Sequence, residues 1–179
     1  MDKDDLVNLT SRAWSLNILA QLHAGTPGRQ ATLLTATGAS RTAFGQSLAH
    51  LIELGLLERN PGHGHPLRPE FRMTPKGAEA AEMAEAILRA GPDKPEAALL
   101  RRVWTVPVLS VCVSPRYFSD IKRDLPPITD RALSGCLKQL RARNWLSRDT
   151  ETESHPPRPV YRAANAGLEI GEAVLRLAS

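Results

Sequence analysis

The side chains of this 179-residue chain that are best suited to chemistry are its arginines: 18 Arg stand against 5 Lys. A guanidinium presents a planar fork of donors that matches phosphate oxygens and the O6/N7 edge of guanine. Codon usage in a GC-rich genome would raise Arg together with Ala and Pro, so the number alone decides nothing. The distribution says more. Residues 1–90 carry 9 basic and 9 acidic side chains, and residues 91–179 carry 14 and 10, so the whole net charge of +4 sits in the second half. Other candidate groups are poorly arranged for reaction. His63 and His65 stand between glycines without a Cys or paired carboxylates, and His155 is remote in sequence; this reads as solvated turn, not as a metal site. Cys112 and Cys136 make neither a zinc spacing nor a disulfide framework. Cys112 lies in an apolar run and reads as core. Cys136 sits beside Leu137, within reach of the surface but with no neighbouring cation to activate it. No Gly-rich phosphate loop, Ser-His-Asp set or Cys-His set stands out, so nothing supports an enzyme or a bound cofactor.

The elements that must position the arginines are organised by an internal repeat. At an offset of 90, Trp14 falls on Trp104 and Ile18-Leu19 on Val108-Leu109. His65 to Arg72 falls on His155 to Arg162 with five of eight positions identical, and Gly77 falls on Gly167. Between these anchors the offset is 89: Phe44, Leu48 and Leu51 fall on Leu133, Leu137 and Leu140, and Arg59 on Arg148. One residue of drift is what a loop deletion produces. The chain therefore divides into module 1 (1–90), a short linker (91–96) and module 2 (97–179). Gly91-Pro92-Asp93-Lys94-Pro95 interrupts two helical patterns and is too short for a long tether, so the modules should lie side by side.

Within module 1, Trp14, Ile18, Leu19 and Leu22 recur at helical spacing. A second helix over Gln30 to Ala36 ends at Gly38, which suits a left-handed cap. Ser40 caps a third helix with Phe44, Leu48, Leu51 and Ile52 on one face, stopped by Gly55. Leu56 to Arg59 and Glu70 to Met73 read as a hairpin around a turn-rich tip. Thr74-Pro75 opens a last helix. Module 2 repeats the order, with helices over Trp104 to Val113 and Phe118 to Asp124, a third capped by Thr129, a hairpin, and a final helix from about Asn165 to Leu177. The predicted fold class is mainly α with small β-hairpins: two tandem winged helix-turn-helix domains.

Several short motifs support a family resemblance. Pro115-Arg116-Tyr117-Phe118-Ser119-Asp120-Ile121, followed by Ile128-Thr129-Asp130-Arg131-Ala132-Leu133, resembles the HxlR-type winged-helix transcription regulators of bacteria. So do the Trp-x-x-x-Ile-Leu opening and the Pro-Arg-Pro-x-Tyr entry to the returning strand. The MarR-type regulators are similar in outline. The resemblance runs over nearly the whole chain, twice. It implies a non-enzymatic regulator whose partner is double-stranded DNA, and it leaves room for a small-molecule effector and for a homodimer. Family members are usually single modules that pair as homodimers, so two modules in one chain imply a covalent pseudo-dimer. Redox-sensing members carry a reactive Cys near the start of the module, and neither Trp14 nor Trp104 has one nearby.

On this reading the third helix of each module enters the major groove. With its apolar residues facing the core, module 1 offers Ser40, Arg41, Thr42, Gln46 and His50 outward, and module 2 offers Thr129, Arg131, Ser134 and Lys138. Asp130 would repel phosphate and suits the helix dipole instead. Arg59, Arg68 and Arg72 with the two tip histidines, and Arg148, Arg158 and Arg162, belong to the wings. The second tip, Asp149-Thr150-Glu151-Thr152-Glu153, is acidic and unsuited to phosphate, and the first recognition helix has Arg41 alone near its start, so a division of labour is expected. The rival expectation is a tandem winged-helix scaffold that binds proteins and not DNA, as in chromosome-condensation and membrane-sorting complexes. With no apolar run of about 18 residues and an acidic start unlike a signal peptide, the chain is expected to be cytoplasmic and nucleoid-associated, with no membrane partner.

Overall fold

The computed structural model describes residues 2–60, 69–92, 95–151 and 157–177. His63, His65, Arg68, His155 and the end of the acidic tip therefore lie outside the described residues. The chain forms two winged helix-turn-helix modules. In the first, α1 (Lys3–Thr10), α2 (Ser15–His23), α3 (Gln30–Thr37) and α4 (Arg41–Glu53) precede a hairpin of β1 (Leu57–Arg59) and β2 (Phe71–Met73), and α5 (Pro75–Ala90) closes it. A 3₁₀ turn, Glu96–Arg101, leads into α6 (Thr105–Val111), β3 (Arg116–Tyr117), α7 (Phe118–Asp124) and α8 (Asp130–Ala142). The second hairpin, β4 (Leu146–Glu151) and β5 (Arg158–Ala163), is followed by α9 (Ala166–Leu177).

Local caps set most boundaries. Gly38 ends α3 in the left-handed conformation. Ser40 Oγ accepts the Ala43 N–H at 3.3 Å, Thr74 Oγ1 the Gly77 N–H at 3.0 Å and Thr129 Oγ1 the Ala132 N–H at 3.2 Å. The two recognition helices end alike. Gly55 and Asn144 both take positive φ, +69° and +56°, and the next N–H reaches back to Leu51 and Leu140. Asn is one of the few side chains that tolerate this geometry.

Two elements go beyond the sequence expectation. Helix α1 arises where the sequence showed only an acidic start. Asp2 caps it through the Asp5 N–H at 2.7 Å, Asp4 and Asp5 complement its dipole, and Leu6, Val7 and Leu9 are buried. The second sheet has three strands in the order β3-β5-β4, with Tyr117 opposite Val160. In the first module the same strand is reduced to a single bridge, Arg29 opposite Glu70.

The modules share one core. Helix α5 lies between α2 of its own module and α9 of the other, and α9 packs in turn on α6. Helix α1 crosses to α6; Thr10 Oγ1 donates to the carbonyl of Val103, just before α6, at 2.9 Å, and Lys3 pairs with Asp124 of α7 at 3.1 Å. From the second module, the Arg101 guanidinium stacks 4.6 Å from the Trp14 ring centroid, a further contact between the modules.

Cys112 and Cys136 are both buried, so the expectation that Cys136 reaches the surface is corrected: it faces inward with Leu133, Leu137 and Leu140. Desolvation pushes each thiol from its ordinary 9.0 up to about 12, with the neighbouring Cys136 adding to the effect on Cys112. The native state thus holds protons that the unfolded chain releases above about pH 9. This contribution to stability is complete below that pH and is lost as the pH rises through about 12. At about pH 8, Ellman's reagent should leave both thiols of the native protein untouched and titrate both in denaturant; rapid native labelling of either would contradict the burial.

Two glycines hold the hairpins against the closing helices. A Cβ on Gly77 would stand 1.8 Å from the Leu56 carbonyl oxygen, and one on Gly167 2.0 Å from that of Trp145. Gly77→Ala and Gly167→Ala should each cost about 1–3 kcal/mol, read as a lowered urea midpoint.

Candidate nucleic-acid interface

In each module the helix-turn-helix presents one face of its second helix to solvent. On α4, Phe44, Ser47, Leu48 and Leu51 are buried while Arg41, Thr42 and Gln46 are exposed. Ser47 ties the helix to its neighbour: its hydroxyl accepts the Trp14 N–H at 3.3 Å and donates to the Ala43 carbonyl at 2.9 Å. His50 does not join the outward set. Its Nε2 lies 2.8 Å from the Asn8 carbonyl and 3.0 Å from Ser11 Oγ, so the end of α1 covers it. On α8, Arg131, Ser134 and Lys138 are exposed, with Thr129 at the cap. Asp130 forms an exposed ion pair with Lys122 of α7, a contact between the two helices of the motif.

The wing arginines separate by strand register. Arg59 lies opposite Phe71 and Arg148 opposite Tyr161, so these two sit on the aromatic side of their hairpins. Arg72 lies opposite Glu58, and Arg162 opposite Ser147, on the other side. Successive strand residues face opposite ways, so Arg59 and Arg72 lie on opposite faces of the first wing, while in the second Arg158 and Arg162 share one face and Arg148 lies on the other. Arg72 is also engaged, its Nε 2.7 Å from Glu58 Oε1. Arg59 forms no ion pair among the described residues. Arg158 faces Glu151 across the ladder, and the Tyr117 hydroxyl donates to the Glu151 carboxylate. Part of the acidic tip is thereby tied back to the start of α7.

Sequence reasoning passed over two further cations. Arg29, at the cap of α3, lines a groove of about 590 Å³ with Gln30, Thr32 and Arg41. Arg102 lines a second groove, about 420 Å³, with Thr129, Arg131 and Gln139. The signal was available for Arg29, an arginine opening the first helix of a helix-turn-helix, whose N–H groups point outward. Arg102 enters only through the tertiary fold. These grooves offer donors to an anionic backbone and hold no nucleophile-and-base pair. Among the described residues no group of three or more His, Cys, Asp or Glu is placed to hold a metal ion, and no helix is long and apolar enough to cross a membrane.

Comparison with known proteins agrees with the repeat. The family model described as HxlR-like helix-turn-helix matches the chain twice, over residues 9–95 and 99–179. No curated protein matches it. Of the two regulator types that the motifs resemble, the match is to the first. Two successive matches over two winged folds leave one assignment: the chain belongs to the HxlR-like helix-turn-helix family.

Proposed function

We propose that this protein is a sequence-specific, DNA-binding transcription regulator in which module 1 (1–90) and module 2 (97–179), joined by residues 91–96, act as a covalent pseudo-dimer. The observation that carries this is the arginine in the first turn of each capped, outward-facing helix. Arg41 follows Ser40 directly and Arg131 stands two residues after Thr129; both are exposed and form no ion pair among the described residues. The N-terminal end of a recognition helix is the part that meets base edges, and a guanidinium there can take guanine in a bidentate grip. Thr42, Gln46, Ser134 and Lys138 continue the two faces. Arg59, Arg148, Arg158 and Arg162, together with Arg29 and Arg102, serve the phosphates. The mechanism is binding alone. Helix α5 against α9 takes the place of a subunit interface, so one chain reads two half-sites about 34–36 Å apart.

Selection of bound sites from random DNA should return paired half-sites one helical turn apart. The protein should bind them as a single chain of 19.6 kDa, read by sedimentation; twice that mass would transfer the pairing to a second copy. Arg41→Ala and Arg131→Ala should each weaken specific binding by about 1–3 kcal/mol and relax selectivity at a different position. Arg148→Ala should weaken binding evenly across sequences and reduce the salt slope by about one. Absence of salt-sensitive, selective binding would favour the protein-binding scaffold.

A further inference from the structure

The two modules differ at two neighbouring buried positions in a way that opens a cavity. Leu56 and Trp145 are the same site of the repeat. Each N–H bonds to the helix before it, Leu56 to the Leu51 carbonyl at 2.9 Å and Trp145 to the Leu140 carbonyl at 3.0 Å. Each carbonyl accepts from the closing segment, from the Thr74 N–H at 3.1 Å and the Ala164 N–H at 3.0 Å. Each carbonyl is also overlain by the paired glycine, Gly77 or Gly167. The backbones therefore coincide, and the side chains do not. Trp145 is 2% exposed and one of the largest buried groups of the protein. On the neighbouring helix Ile170, also buried, stands where module 1 has Ala80. Replacing an indole by Leu and an Ile by Ala removes more volume than Met83 in the place of Ala173 returns, and Leu56, Ala80 and Met83 all line a cavity of about 250 Å³.

The other walls of the cavity give it chemistry. Leu9 and Met83 complete an apolar floor, and Leu177 at the end of α9 brings the second module to its edge. Asp5, Lys76 and Glu79 form the rim. Lys76 Nζ is 3.6 Å from Asp5 Oδ1, and Glu79 forms no ion pair among the described residues, so the rim retains one negative charge. An apolar cavity of roughly 150 Å³ admits benzene; the larger volume here suits a fused pair of rings.

We propose that this cavity is a binding site for a small, flat aromatic molecule carrying an amine, which fills the space that the Trp145 indole fills in the other module and sets its cation against Glu79. The site touches α1, the end of α4 at Leu54, the start of β1, α5 and α9. An occupant therefore bears at once on the recognition helix and on the contact between modules. That consequence rests on the DNA-binding reading; the binding itself does not.

The probes are tryptamine, indole and indole-3-acetate, titrated calorimetrically into the full chain without DNA. Tryptamine should bind tightest and indole-3-acetate weakest. Leu56→Trp, which supplies the missing ring from the protein, should weaken tryptamine at least about tenfold and raise the melting temperature. Ala80→Ile should do the same by narrowing the floor and serves if the first variant does not fold. Glu79→Gln should bring tryptamine down to the affinity of indole. No binding of tryptamine, equal binding by both filled variants, or preference for the acid would overturn the proposal. A parallel titration of the selected DNA site with and without tryptamine tests the coupling, so failure of the DNA reading and failure of the cavity are told apart.

Discussion

The packing of α5 against α9 is the contact on which the other arrangements depend. Helix α5 is held on two flanks, by α2 on one and α9 on the other. Its buried face is built largely from Ala80, Ala81, Ala84 and Ile87, and that of α9 from Gly167, Ile170, Gly171 and Val174. Small residues let helices approach closely, and close packing leaves little room for sliding. The recognition helices are each fixed to a closing helix through a hairpin and a buried glycine. Their mutual distance is consequently set inside the protein core, not by a flexible linker. The two HxlR-like modules of this chain thus meet through helices of its own core.

Fusion frees the two copies to diverge, and three equivalent positions show where they have. Ser47, which joins α4 to the Trp14 backbone, is Cys136 in the second copy. Leu56 is Trp145 and Ala80 is Ile170, which leaves a cavity on one side only. The strand before the helix-turn-helix is two residues long in the second copy and a single bridge in the first. In a homodimer each such change would appear twice and act on both half-sites. In one chain it changes one module only: the first holds a cavity where the second keeps a filled core.

Much of this was legible in the sequence because it is written in short-range chemistry. Ser40, Gly38, Thr74-Pro75 and Thr129 announce their caps, and Phe118–Asp124 forms the expected helix. The apolar stripe of α4 also reveals its outward face. What was not legible depends on contacts between distant segments. Helix α1 gains its burial by crossing to α6, a partner a hundred residues away in the chain that no local pattern names. Strand β3 is too short to show alternation. His50 looks outward on a helical wheel and is covered only because Asn8 arrives beside it. The wing arginines could be listed from sequence, but their division between two faces needs the register, and the register follows from the folded turn.

The same distinction bears on the charge. A net +4 is a weak guide to DNA affinity because much of the basic inventory is spent within the fold. Lys122, Arg123 and Arg116 of the second module pair with Asp130, Asp120 and Asp124, and Arg72 of the first with Glu58. These pairs orient helices and strands and offer little to phosphate. At physiological salt, charges separated by more than about 8 Å are largely screened, so the distant acidic residues of α5 neither help nor hinder the recognition face. What counts is which cations stand unpaired at that face. On α4 this is Arg41; on α8 Arg131 and Lys138 stand exposed together, with Arg141 one turn further along. The second helix face therefore carries more exposed positive charge than the first, despite the acidic wing beside it, part of which Tyr117 holds.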